Sequence, residues 1–208
     1  MPGQGFDSPQ VHNMIFFNLF RKKKSLSLNL AKKKANKIAS LIAEKSYYQR
    51  EIISINYENL YGRPIERDRL DTALLEIVIF YMAVTDRVSF YHLDSNSRET
   101  LGNFLFESVF NYLWVREWDT KLNNSLRKLD KKNPIPDFQH LYNKRQFEYS
   151  QYREMLPGGK DLGGTLLYEF SCNLADVIGA KSDPQMIIAI SDISIKILLG
   201  LDLSRCLK

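Results

Sequence analysis

Few residues in this chain have the type and spacing that chemistry requires. Its three histidines are His12, His92 and His140. Asp137 and His140 stand three apart, so one helical turn would bring them to the same face. A di-metal site in a helical bundle takes two Glu-x-x-His motifs on separate helices and two further glutamates. No such motif occurs, and Cys-x-x-Cys and His-x-x-x-His are also missing from the sequence. No metal and no cofactor are therefore expected, and Asp137 reads as a helix N-cap. Gly158-Gly159-Lys160-Asp161-Leu162-Gly163-Gly164 precedes a helical pattern, the setting in which backbone amides cradle phosphate. It departs from the nucleotide-binding loop at two points. Glu154 stands where the first glycine belongs, and Asp161 where a Ser or Thr would hold magnesium. An αα connection is the simpler reading. Cys172 lies one turn from Glu169 and from Asp176, carboxylates that keep a thiol protonated.

The charged residues between about 64 and 93 make a subtler case. Arg69, Glu76 and Arg87 fall near one helical stripe, with Phe80 and Ala83 between them. A charge on such a face needs a partner if it is buried. Asp86, Arg87 and His92 form the candidate polar pocket of an enzyme or small-ligand-binding bundle. Convergence with Glu107, Glu169 or Asp176 in a closed cavity would favour that reading. Pairing at the rim of the core would disfavour it.

The positive charge is concentrated elsewhere. The formal net charge is +5, yet Arg21 to Arg50 alone holds ten Lys or Arg against one carboxylate, Glu44, and residues 51–208 are net acidic. A short apolar run, Met14 to Phe20, directly precedes this segment. Phe16, Phe17, Leu19 and Phe20 followed by Arg21, Lys22, Lys23 and Lys24 combine apolar insertion with a polybasic patch. Those are the two signals for reversible binding to an anionic membrane surface. The same rings would suit a groove on a partner protein. Nucleic-acid phosphates are a weaker target, because rings and cations stand in separate blocks rather than interleaved. Homo-oligomerisation is left open. A secretory signal places its cations before its apolar stretch, the reverse of the order here, and seven residues fall far short of the about 20 that cross a bilayer. A cytoplasmic protein, peripheral at most at the inner membrane face, is expected.

These residues need a scaffold. At 208 residues, with 44% hydrophobic and 25% charged, the composition is that of an ordinary globular domain. Residues 1–24 read as a mobile arm and 25–208 as one all-α domain, a bundle of about six helices. The first helix should run from about 28 to the stop at Gly62, and Pro64 should start the second. Leu26-Ser27-Leu28-Asn29-Leu30 alternates and is the one strand candidate. Ile77 to Val84 is apolar around the whole helix circumference, so Phe80 should be buried on all sides. Asn96 with Glu99 has capping-box spacing. Later helices are expected from Asp137, over about 162–178 up to Gly179, and from Asp183-Pro184 onward.

Overall fold

A 34-residue stretch without glycine or proline becomes one helix, α1, Leu28–Tyr61. Ser27 opens it, its hydroxyl accepting from the Leu30 backbone N–H. Gly62 closes it at φ 65°, a left-handed conformation that suits glycine. The alternating Leu26–Leu30 segment is thus an N-cap and a first helical turn, not a strand. The computed structural model describes residues 23–119, 134–152, 154–156 and 163–207. Among these the protein is an all-α bundle of six helices of 13 residues or more and one short helix.

α2 spans Arg67–His92, beginning three residues after Pro64. The connection first turns Ile65 into the core, which delays the helix. α3 covers Ser95–Asp119, and Asp94 caps it, its carboxylate accepting from the Ser97 N–H at 2.8 Å. Because the helix starts this early, Asn96 sits inside its first turn and the expected box with Glu99 is not the cap. α4, Pro134–Ser150, starts ahead of Asp137, so that residue is not its N-cap. α5, Leu166–Ile178, begins later than the expected 162, because Gly164 takes a positive φ and Thr165 caps the helix after it. Gly179 ends it at φ 87°, with the Arg69 guanidinium lying against its α-carbon. α6, Pro184–Leu201, opens as expected: the Asp183 carboxylate accepts from Gln185 and Met186, and proline occupies the first turn. Asp202, at φ 34°, then turns the chain into a five-residue helix, α7, Leu203–Leu207.

α2 is the centre. Every residue from Ala73 to Thr85 is buried, and α1, α3, α4, α5 and α7 all pack against the helix. Phe80 stacks on Phe170 of α5, ring centres 3.9 Å apart, and meets Tyr149 of α4 edge-on at 6.3 Å. Two buried polar contacts tie helices together. Tyr81 donates to the Gln49 carbonyl oxygen, and the Gln49 amide donates to Ser194 of α6 at 2.8 Å. Ser191 donates to Ser171 across the α5–α6 contact at 2.8 Å.

Replacing Phe80 with Ala removes one ring of a stack whose neighbours are themselves fixed. The expected cost is about 3–5 kcal/mol on urea unfolding. A loss below about 1 kcal/mol would mean that the helix tolerates the change as a surface does.

Candidate functional site

The polar residues of α2 leave it in different directions. Glu76, 3% exposed, accepts three hydrogen bonds of 2.6–3.0 Å from the Arg145 guanidinium of α4. Arg145 also donates to Glu148 one turn along its own helix. The pair is bidentate, with Glu76 buried and Arg145 largely so, the geometry in which attraction offsets the cost of desolvation. Arg87 turns the other way and donates to the backbone carbonyls of Tyr149 and Tyr152 at 2.6 and 2.5 Å. A guanidinium thus serves carbonyls at and just past the end of α4, where the Tyr149 carbonyl also accepts from the Tyr152 N–H. Burial pushes the Arg87 pKa down, and the neighbouring Tyr91 and Asp86 oppose the shift.

Asp86 faces α3. Its two oxygens accept from Arg98 at 2.7 and 2.5 Å, a partly exposed fork at the rim of the core. His92 lies 3.3 Å from the Ser204 hydroxyl of α7. The three residues of the candidate pocket therefore address three different neighbours: α3, the end of α4, and α7. The carboxylates whose convergence would have favoured a site are also engaged or apart. Glu169 accepts from Tyr152 at 2.7 Å and from Asn173, Asp176 accepts from the Ser182 backbone, and Glu107 is exposed. Among the described residues no group of His, Cys, Asp and Glu has the arrangement that holds a metal ion. His140 is exposed, and the Asp137 side chain lies outside the described residues. Of the glycine-rich stretch only Gly163 and Gly164 are described. The Cys172 thiol is pushed up by burial, with Glu169 and Asp176 adding to the effect and Tyr168 opposing it.

A second set of residues gathers around the root of the N-terminal arm. Phe16, Phe17, Leu19, Phe20, Arg21 and Lys22 lie outside the described residues; Lys23 and Lys24 are within them. Lys24 is fixed by its backbone at the connection between α2 and α3: its N–H donates to the His92 carbonyl at 2.9 Å, and its carbonyl accepts from Asp94 at 3.0 Å. The Leu26 N–H donates to Ser97 at 2.8 Å. The Lys23 ammonium sits 4.1 Å from the centre of the Phe90 ring, and Arg98 approaches the same ring at 5.4 Å. Phe90 and Tyr91 are 48% and 37% exposed and meet edge to face. Sequence reasoning identified the lysines but not Phe90 and Tyr91. The available signal was that two rings follow the apolar run by more than one turn, too far along to belong to the buried belt.

Comparison with protein-family models, with curated proteins and with solved structures gives no match. No helix among the described residues is long and apolar enough to cross a membrane.

Two expectations follow from the polar contacts. Arg145→Met should leave Glu76 buried without its cation and cost about 3–5 kcal/mol in urea unfolding. The double change Glu76→Gln, Arg145→Met should recover part of that loss; equal losses would show that the charge pairing is not what matters. The second concerns alkaline pH. The Tyr61, Tyr142 and Tyr152 phenols are pushed up to about 12 from 10.0, by burial first in Tyr61 and Tyr142 and by the hydrogen bond to Glu169 first in Tyr152. A group raised in the folded state contributes stability below its unfolded value, and the contribution is lost as pH climbs through the folded value. Stability should therefore fall between pH 10 and about 12. Glu169→Gln should bring one phenol back toward 10.0 in a tyrosinate absorbance titration; an unchanged curve would rule out that hydrogen bond as the cause.

Proposed function

We propose that the chain is a non-enzymatic interaction protein that lies against an anionic membrane surface, through its N-terminal arm and the corner that holds the arm's root. The observation that carries this reading is the meeting of cations with uncovered rings at that corner. Lys23 caps the exposed Phe90 ring, and Tyr91 stands beside it. Leu28, 65% exposed, follows four residues after Lys24, and Lys32, Lys33 and Lys37 are exposed on the first turns of α1. Lys34 bends inward to donate to the Cys206 carbonyl at 2.8 Å. Burial pushes its ammonium down, and the like charges of Lys24 and Lys37 push it further. An anionic surface laid over this corner relieves that repulsion.

The energetics suit reversible attachment. Each cation near such a surface contributes about 1 kcal/mol, and rings at headgroup depth add an apolar share. Phe16, Phe17, Leu19 and Phe20 would extend that share along the arm, next to Arg21 and Lys22. The site would be cytoplasmic, on the inner membrane face, where anionic lipid is concentrated. A partner protein that accepts the arm's rings in a groove is the nearest rival. The enzyme reading has less support, because Asp86, Arg87 and His92 are engaged with separate neighbours.

Co-sedimentation with lipid vesicles tests the proposal. The full chain should pellet with vesicles rich in phosphatidylserine and not with neutral ones, less so as salt rises, because screening weakens the cationic share. Phe90→Ser, and Phe16, Phe17 and Phe20 changed together to Ser, should each reduce binding. Equal binding to neutral vesicles, or none to either kind, would sink the membrane reading and leave the partner-protein groove.

A further inference from the structure

We infer that the outer face of α6 is the contact surface of a two-fold homodimer, in which α6 packs antiparallel against the same helix of a second copy. The inner face of α6 is spent on the bundle: Met186, Ile187, Ile190, Ile197 and Leu201 are buried there, with Ser191 and Ser194. The opposite stripe carries Ile188, Asp192 and Leu199, with Ile195 at its edge partly buried against the bundle's own core, a spacing of four, three and four residues that suits the seam of a helix pair. Ile188 is 51% exposed and Leu199 58%. A helix that is apolar on both faces has one face more than its own bundle covers.

The charges on that stripe say what covers it. Asp192 and Lys196 are the charged residues of α6, both exposed, and neither enters an ion pair among the described residues. A two-fold axis crossing the outer face midway between Asp192 and Lys196 sets Asp192 of each copy opposite Lys196 of the other. One charge arrangement then makes two ion pairs, the self-complementarity that a two-fold contact requires. A parallel pairing would instead set Asp192 against Asp192. The same axis brings Ile188 of one copy over Gly200 of the other. Gly200 is exposed, and a Cβ built there meets nothing in its own chain, so the bundle does not require a glycine at this position. Packing of a second helix does, since the missing side chain admits the isoleucine. One pair of 18-residue helices is a small interface, so the dimer should form and dissociate reversibly. None of these observations involves the arm, and the inference stands apart from the proposed membrane contact.

Sedimentation equilibrium of the full chain, without lipid, over a concentration series tests it. The wild type should show a monomer–dimer equilibrium. Asp192→Lys and Lys196→Asp should each weaken association on the order of tenfold or more, by setting like charges face to face. An equimolar mixture of the two single variants should restore it, because every 192–196 pair between unlike chains is then opposite in sign. The double variant Asp192→Lys, Lys196→Asp should associate as the wild type does. Circular dichroism of each variant checks that the bundle is intact. A wild type monomeric throughout would overturn the inference. So would a dimer indifferent to both charge reversals, or single variants that stay monomeric when mixed.

Discussion

A helix that is apolar around its full circumference has to be surrounded, and the arrangement of the other elements follows from meeting that demand for α2. Burying every residue from Ala73 to Thr85 takes neighbours on all sides, and α1, α3, α4, α5 and α7 supply them. The Phe80–Phe170 stack fixes the approach of α5, and the edge of Tyr149 fixes that of α4. The enclosed belt leaves little choice for the one charge inside it. Glu76 lies within the continuous buried run, so it needs a cation delivered from outside α2, and Arg145 arrives from α4 to provide it. Hydrophobic enclosure and the ion pair are thus two parts of one solution. The first demands that α4 be present, and the second sets its register.

How much of this was legible follows from the range of the interactions involved. The burial of Phe80 could be read from Ile77–Val84 because full-circumference burial leaves its signature within eight consecutive residues. Gly62, Gly179 and Asp183-Pro184 were legible for the same reason: a cap is settled by a handful of neighbours. The start of α2 was not, since Pro64 competes with the pull of the core on Ile65 one residue later. Nor was the cap of α3, where four consecutive capping residues, Asp94 to Ser97, offered several equivalent starts. Glu76 and Arg145 are 69 residues apart, and nothing near either one names the other. The candidate pocket failed to converge for a geometric reason. Asp86 and Arg87 are adjacent in sequence, and adjacent residues on a helix point about 100° apart. One reaches α3 and the other the end of α4.

Arg87 also shows why a half-buried cation need not mark chemistry. Helix ends carry carbonyls without a partner further along the helix, and Arg87 reaches two at the close of α4. A guanidinium offers several donors at once and cannot lose its charge there under ordinary conditions. It is well suited to a structural duty that resembles, from sequence alone, a site awaiting an anion.

The fastening at Lys24 has a mechanical meaning. Two backbone hydrogen bonds at this residue and a third at Leu26 join the chain to the last carbonyl of α2 and the first turn of α3. Tension applied to the chain ahead of residue 23 would therefore reach these three bonds before it reached Ser27 and the start of α1. They act as a fuse. The load would pass to two helix ends, the close of α2 and the opening of α3, ahead of the packing around Phe80.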